Sequence, residues 1–192
     1  MSSVAIAFHS GYGHTAAVAD AVARGVDTVP GVRSVLVPVD QAEARIADLH
    51  AADAIVFGAP TYMGSASAPF KAFMDGTSKF FANAPWKDKL AAGFTVSASQ
   101  NGDKLNTLVQ MAIFAMQHSM VWVGLGLPPG NNSSKGSADD LNQLGSYIGA
   151  MAQANADQGL EGIRASDLRT AEHLGRRVAQ LSQQRAVLKS AA

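Results

Sequence analysis

The sequence predicts a doubly wound α/β domain, in which helices cover both faces of a parallel sheet. Five short apolar runs recur along the chain, at residues 4–8, 35–39, 54–58, 90–96 and 121–125. These runs are nearly continuous in Val, Ile, Leu and Ala, which is typical of strands buried on both faces. Segments with helical periodicity separate the runs, and this alternation favours a parallel sheet.

Each predicted helix shows apolar residues three or four positions apart. The residues that mark them are Val18, Val22 and Val26 after the first run, Ile46 and Leu49 after the second, and Leu105, Leu108, Met111 and Ala115 after the fourth. The last helix has the clearest stripe, with Ser166 as its predicted N-cap, and consists of Leu168, Ala171, Leu174, Val178 and Leu181.

The chain has 192 residues, and we expect residues 1–192 to form one domain. Residues 126–164 interrupt the strand–helix alternation because Pro128-Pro129-Gly130 and the Asn, Ser and Gly residues after it are typical of loops. We therefore predict a long, mostly irregular insertion. A loop of this length can cover an active site, make an assembly contact or form a surface excursion.

Composition excludes several classes of function. The chain has 15 basic and 15 acidic residues, so its neutral charge gives no reason to expect binding to nucleic acid or to an anionic membrane. Cysteine is absent, which excludes disulfides, thiol nucleophiles and iron–sulfur clusters. No histidine spacing suggests a metal site. No apolar run approaches the ~18 residues of a membrane span, and no basic leader precedes the first run, so we expect a cytoplasmic protein.

The segment Ser10-Gly11-Tyr12-Gly13-His14-Thr15 joins the first predicted strand to the first helix. Its glycines allow close backbone approach, and the helix N–H groups favour an anion. The loop has no Lys or Arg and lacks the Walker pattern, so neutral donors would hold a monophosphate such as that of FMN. The alternative is a tight turn with no ligand. We expect the His14 side chain to face solvent.

Two further loops of similar character follow the third and fourth predicted strands. They are Gly58-Ala59-Pro60-Thr61-Tyr62-Met63-Gly64-Ser65 and Ser97-Ala98-Ser99-Gln100-Asn101-Gly102-Asp103. Ligands of open parallel sheets bind outside the carboxyl ends of strands, where the strand order reverses. Small residues, hydroxyls and amides, without a carboxylate pair or histidine cluster, predict a site for a flat cofactor with polar edges. Thr61 could donate its hydroxyl and Tyr62 and Met63 could lie against the ring, although ordinary packing is the alternative for both.

In combination the three loops, with Phe70-Lys71-Ala72-Phe73-Met74-Asp75, resemble the WrbA family of NAD(P)H:quinone oxidoreductases. The resemblance covers most of the chain, including residues 145–150. It implies a flavodoxin-like fold with five parallel strands in the order 2-1-3-4-5. It also implies bound FMN, NADH or NADPH as hydride donor, and a quinone or similar small molecule as two-electron acceptor in a ping-pong reaction. We expect no catalytic side chain, because the flavin supplies the chemistry.

The resemblance assigns site residues in three groups and adds a pair near the end of the fourth helix. Those predicted to bind the cofactor are Ser10, Gly11, Tyr12, Gly13, His14, Thr15, Pro60, Thr61, Tyr62, Met63, Gly64, Ser97, Ala98, Ser99, Gln100, Asn101, Gly102, Gln117 and His118. Tyr12 and Phe81 are predicted at the substrate position. The chain departs from the family at Tyr62, where close relatives often have arginine, and at Gln117, where the family commonly has histidine. The resemblance implies a homo-oligomer, a dimer or tetramer, in which Phe81 and residues 126–164 would complete neighbouring sites.

Three alternatives remain at this stage. The first is a flavodoxin that carries single electrons, against which the neutral charge counts. The second is an FMN reductase that releases reduced flavin, which needs the same loops. The third is a non-catalytic interaction module.

Overall fold

The computed structural model describes residues 2–190, with side chains described through residue 186. Its strands are β1 (Ser2–Phe8), β2 (Val32–Pro38), β3 (Ala54–Tyr62), β4 (Ser65–Ala66), β5 (Leu90–Ser97), β6 (Val121–Trp122) and β7 (Ala150–Gln153). Its α-helices are α1 (His14–Asp27), α2 (Ile46–Ala51), α3 (Ala68–Gly76), α4 (Lys104–Gln117) and α5 (Ala165–Ser190). Short 3-10 segments span Val39–Gln41, Thr77–Asn83 and Leu160–Gly162.

The main sheet is parallel and runs in the order β2-β1-β3-β5, followed by β6 and β7 together at the fifth position. This arrangement confirms the predicted order of five positions. β1 pairs with β2 on one side and with β3 on the other, so the strand order reverses beside β1. The carboxyl ends of β1 and β3 therefore flank the crevice in which doubly wound sheets bind ligands.

The fifth position of the sheet is divided between two short strands. β6 pairs with Leu90 and Ala91 at the start of β5, whereas β7 pairs with residues 94–97 at its end. The run at 121–125 is thus a strand only at its first two residues, and the segment expected to be irregular supplies β7. The chain leaves the sheet after Val123, whose N–H donates to the Ala91 carbonyl (2.7 Å), and Pro128 and Pro129 farther on have no N–H with which to rejoin a ladder. Asn142 then holds the excursion by donating its side-chain amide to the Ser146 carbonyl (2.9 Å).

Two hydrophobic cores lie on the two faces of the sheet. One packs α1 and α5 against the sheet through Val18, Val22, Leu174 and Val178. The other packs α2, α3 and α4 around residues that include Leu49, Phe70, Trp86, Leu108 and Met111. The predicted apolar stripe of α5 is confirmed at its centre. Ser166 is not the N-cap, because α5 begins at Ala165 and the Ser166 hydroxyl donates to the Ala138 carbonyl (2.7 Å).

Among the described helices, none combines the length and apolar character needed to cross a bilayer.

Candidate functional site

A cleft of about 660 Å³ opens at the carboxyl ends of β1, β3 and β5, where the sheet order reverses. It is lined by Tyr12, His14, Thr15, Pro60, Thr61, Tyr62, Val96, Ser97, Ala98, Ala154, Ala156 and Gln158. The structure therefore brings the three predicted loops together. Val96, Ala154, Ala156 and Gln158 were not predicted, and the last three come from the segment after β7.

The first loop closes on itself before α1 begins. Gly13 has a φ of 92°, a conformation that favours glycine, and directly precedes the helix. The hydroxyl of Ser10 accepts hydrogen bonds from the N–H groups of Gly13 and Ala16, both at 3.1 Å. Within residues 2–190, the N–H groups of Gly11, Tyr12, His14 and Thr15 donate to no acceptor. The start of α1 thus offers neutral donors to an anion, and Thr15, only 2% exposed, lines the cleft beside them.

His14 fastens a fourth loop to the first. Its Nε2 lies 3.1 Å from the Gln158 carbonyl and 2.9 Å from the Gly159 carbonyl, so this nitrogen carries the proton and donates. The expectation that His14 faces solvent is therefore wrong. Its ring holds the segment after β7 against the first loop and lines the cleft. The sequence of residues 155–159 is typical of a loop, but none of the predicted strands directly precedes it. It was therefore not assigned to the cleft.

The hydroxyl of Thr61 is not free to donate into the cleft. Thr95 donates to the Ala59 carbonyl (2.7 Å), so Thr61 is the donor in its 2.8 Å contact with Thr95. Thr107 in turn donates to Thr61 (2.7 Å). The prediction that Thr61 donates its hydroxyl to a ligand is corrected here, because that proton is used inside a buried threonine chain. Thr61 contributes shape and its backbone to the cleft wall.

An aromatic pair forms the outer rim of the cleft. Tyr12 and Tyr62 meet edge to face with ring centroids 6.3 Å apart, and Tyr12 is 84% exposed. Partial burial, with a smaller effect from Tyr12, raises the pKa of the Tyr62 phenol, so the Tyr62 ring is neutral at physiological pH. Met63 is fully exposed at a φ of 49° and is not part of the cleft lining. Gly64 accepts a hydrogen bond at its carbonyl from Asn106 (2.7 Å) and shapes the turn beside the rim.

The third loop divides between the cleft and its surroundings. Ser97 and Ala98 line the cleft, and the hydroxyl of Ser97 donates to the Ser99 carbonyl (3.0 Å). Gly102 packs against the Ser97 side chain. Gln100 and Asn101, both predicted to bind the cofactor, instead line a separate cleft of about 580 Å³ together with Tyr147 from the insertion. The loop turns outward after Ser99, which separates these two amides from the main cleft.

The structure places Phe81, Gln117 and His118 near the amino ends of the strands, whereas the cleft lies at their carboxyl ends. A single chain therefore does not bring these residues to the cleft. α4 begins after the carboxyl end of β5 and returns along the sheet, which places its end near the start of β5. There His118 is buried, and its Nε2 donates to the Thr77 hydroxyl (2.8 Å), which itself donates to Met74. Burial lowers the pKa of His118, and its Nδ1 has no hydrogen-bond partner among the described residues.

Lys104 is a buried residue that sequence reasoning missed. It lies at the start of α4 with no exposed surface, and its ammonium donates to the Ser97 hydroxyl and the Ser99 carbonyl, both at 2.7 Å. Burial lowers the pKa of Lys104 to about 8, although the negative charge of Asp167 opposes this effect. Burial also raises the pKa of Asp167, which accepts hydrogen bonds from Gln143 and the Gln153 N–H. The only sequence signal was a lysine directly after a candidate loop.

Comparison with known proteins places this site in a family. Residues 14–134 match the family model described as NADPH-dependent FMN reductase. Flavodoxin FldP of Pseudomonas aeruginosa is 42% identical over 189 residues, covering 96% of this chain and 98% of that protein. An NAD(P)H dehydrogenase (quinone) of Geobacter sulfurreducens is 32% identical, covering 94% of this chain and 97% of that protein.

A solved structure supports the same placement. The flavodoxin, WrbA-like protein of Agrobacterium tumefaciens superposes with a TM-score of 0.76 at 40% identity, covering 96% of this chain and 99% of that one. The family model and these relatives together show that the chain belongs to the NADPH-dependent FMN reductase family and is a flavodoxin-like oxidoreductase of the WrbA type.

Proposed function

We propose that this protein binds FMN in the cleft between β1, β3 and β5 and transfers hydride equivalents from NADH or NADPH to a quinone. The observation that carries the proposal is the uncharged loop at the start of α1, whose unpaired N–H groups open onto the cleft. The membership of the chain in a family of FMN reductases supports the same cofactor.

The residues present fit FMN in both charge and shape. Four backbone N–H groups and the Thr15 hydroxyl would hold the phosphate, which suits a monophosphate because the loop carries no lysine or arginine. The cleft walls are Pro60, Thr61, Ser97 and Ala98, small or flat surfaces suited to the sugar chain and the ring. Bound FMN would supply two-electron transfer between the nicotinamide and the acceptor.

The chain itself contributes position, exclusion of water and neutral donors rather than acid–base chemistry. Among the residues that the structure describes, no Asp, Glu, Lys or Arg lines the cleft. The Tyr12–Tyr62 pair stands at its mouth, where flat aromatic surfaces can hold a nicotinamide or quinone ring against the site. Tyr12 is exposed enough to reorient when the two substrates exchange in a ping-pong sequence.

A flavodoxin-type electron carrier is the second candidate, because the relative at 42% identity is named a flavodoxin. The exposed side chains of Tyr12 and Met63 at the rim would then contact a redox protein rather than a small molecule. Release of reduced FMN as the product is a third outcome that the same cleft allows.

We further propose that the protein is a cytoplasmic homo-oligomer and that residues 1–192 act as one domain. The insertion belongs to that domain because its strand β7 is hydrogen-bonded to β5. The outer face of α4 exposes Leu105, Ile113 and Met116, each more than half exposed, which suits contact with another copy. A neighbouring copy could bring the Phe81 edge toward the cleft, although no single chain does so.

The decisive experiment is NADH and NADPH oxidation with benzoquinone as acceptor, after FMN loading and removal of free flavin. Turnover that persists with bound FMN supports the quinone reductase and identifies the preferred nucleotide. Tight FMN binding without turnover favours the electron carrier, and turnover only with excess free flavin favours an FMN reductase. Absence of FMN binding contradicts the proposal.

A further inference from the structure

Lys104 is a buried cation directly behind the wall of the cleft. Its side chain has no exposed surface, and its ammonium donates to Ser97, a residue of the cleft lining. Burying an ammonium is costly unless it is hydrogen-bonded and paired. Packing does not require it, since an apolar residue of similar length could fill the same volume. The position of Lys104 therefore calls for a role at the cleft.

Lys104 holds the third loop in its observed shape. Its second hydrogen bond goes to the Ser99 carbonyl (2.7 Å), so one ammonium bridges both ends of the turn that presents Ala98. The Ala98 carbonyl is held from the other side by the Gln153 side-chain amide (3.0 Å). Two side chains, those of Lys104 and Gln153, thus hold the turn, and Lys104 carries a positive charge.

Among the described residues, no carboxylate lies within hydrogen-bonding distance of the Lys104 ammonium. Asp167 of α5 interacts with Lys104 electrostatically, but its carboxylate accepts hydrogen bonds from the Gln143 side chain and the Gln153 N–H instead. Arg164 also interacts electrostatically with Asp167. Asp103, the neighbour of Lys104 in sequence, is exposed at the N-cap of α4. The field of Lys104 therefore reaches a cleft that, within the described part of the chain, has no Asp, Glu, Lys or Arg in its lining.

We propose that Lys104 is a positioning residue that shapes the Ser97–Ser99 turn and uses its buried charge to favour the reduced state of bound flavin. This inference rests on the proposed FMN site. Transfer of a hydride from the nicotinamide to the neutral ring leaves an oxidised nicotinamide and adds one negative charge to the flavin, which persists unless a proton follows. A fixed cation behind the cleft wall stabilises that added charge and does little for the neutral oxidised ring.

The effect of Lys104 depends on pH in a defined direction. Because burial lowers the pKa of Lys104 to about 8, its charge is present at pH 6.5 and lost in the oxidised protein at pH 9.5. Asp167 supports the charge, and Arg164 lowers the pKa of Asp167 and so helps to keep that carboxylate ionised. Between about pH 8 and 9, reduction is therefore coupled to partial uptake of an extra proton by Lys104.

The test compares Lys104→Gln, which keeps hydrogen-bond donors but removes the charge, with Lys89→Gln. Lys89 is a matched control because it also donates to backbone carbonyls, including those of His50 and Ala52, but lies before the amino end of β5. The midpoint potential of bound FMN is measured by dye equilibration at pH 6.5 and pH 9.5, and the Kd of oxidised FMN by fluorescence titration.

We expect Lys104→Gln to reduce the preference for reduced over oxidised FMN about tenfold at pH 6.5, a lowering of about 30 mV for a two-electron couple. The difference from wild type should vanish at pH 9.5, and Lys89→Gln should match wild type at both. An unchanged potential at pH 6.5 in FMN-loaded Lys104→Gln overturns the role of Lys104 alone. Failure of the wild-type protein to bind FMN overturns the proposed function with it.

If Lys104→Gln does not fold, the pH dependence of the midpoint potential of the wild-type protein provides a second test. Its midpoint potential should fall with pH more steeply between about pH 8 and 9 than below pH 7, by roughly 15 mV per pH unit, because a tenfold effect corresponds to uptake of about half a proton over that interval. A slope that does not steepen there contradicts the proposal.

Discussion

Gly11 lies so close to Tyr62 that a Cβ added at Gly11 would meet the tyrosine hydroxyl oxygen at 2.5 Å, whereas the next ring atom would be 3.5 Å away. The absence of a side chain at Gly11 therefore allows the Tyr62 ring to rest on the phosphate loop. This contact couples the first and second loops of the proposed FMN site.

Gly11→Ala is expected to displace Tyr62 and to weaken FMN binding several-fold, with little loss of stability because the clash is with the end of a flexible side chain. In a Tyr62→Phe background the same substitution should have almost no effect, because the phenylalanine ring leaves an ordinary contact. A double-mutant cycle on the Kd of FMN measures this coupling. Gly76→Ala, where nothing lies within 4 Å of the added Cβ, is the control. Additive effects of the two substitutions would contradict the coupling.

Thr15→Val tests the phosphate loop. We expect FMN affinity to fall about tenfold or more, since a hydrogen bond to a charged group contributes roughly 1.5–3 kcal/mol, while the fold is retained. Thr28→Val at the other end of α1 should leave affinity unchanged, because its hydroxyl donates to the Gly25 carbonyl away from the cleft. Isothermal titration with FMN makes the comparison. Equal affinity of Thr15→Val and wild type would remove Thr15 from the site.

Thr95→Val tests the buried threonine chain. The Ala59 carbonyl would lose its donor and the Thr61 hydroxyl its acceptor, so we expect the free energy of unfolding to fall by about 1–3 kcal/mol. Urea denaturation followed by circular dichroism measures the change. Thr28→Val again serves as the control, because Thr28 is an exposed residue directly after the end of α1. An unchanged free energy of unfolding in Thr95→Val would show that the buried hydrogen bonds among the threonines do not stabilise the fold.

Lys104→Met tests the cost of the buried charge through the pH dependence of stability. The pKa of Lys104 is about 8 in the folded protein against 10.5 for an ordinary lysine, so between these values the unfolded chain binds a proton that the folded chain does not. Over that window the wild-type free energy of unfolding rises with pH, by up to about 3 kcal/mol from this group, and below pH 8 the full cost remains. The methionine variant should lack this rise when urea unfolding is compared at pH 7.5 and 10. Parallel pH profiles would contradict the burial of a charged Lys104.

Ile113→Glu tests assembly through the outer face of α4. If Leu105, Ile113 and Met116 contact another copy, a buried glutamate there should convert the oligomer to monomers, seen by light scattering after size exclusion. Val121→Glu, at a half-exposed apolar residue outside α4 and outside residues 126–164, should leave the mass unchanged. An unaltered oligomer in Ile113→Glu would exclude this face.

The fold was predicted well because apolar strands and amphipathic helices show patterns that depend only on residues close together in the sequence. The first loop was predicted for the same reason, since strand, glycine turn and helix are consecutive. Thr61 was misread because the direction of its hydrogen bond depends on Thr95 and Thr107, which lie distant in sequence. β7 was missed because residues 123–149 separate it from β6, and Lys104 because its burial depends on α5 and the insertion folding over it.

The divided fifth position has a consequence for how copies of this protein can meet. A long free edge strand presents a continuous row of unpaired N–H and C=O groups that another sheet can extend. Here one border of the sheet consists of only two and four residues in β6 and β7. At the other border, the Ser34 N–H is already taken by the Asp27 carboxylate (2.8 Å). Both borders are thus poor templates for cross-chain sheet growth.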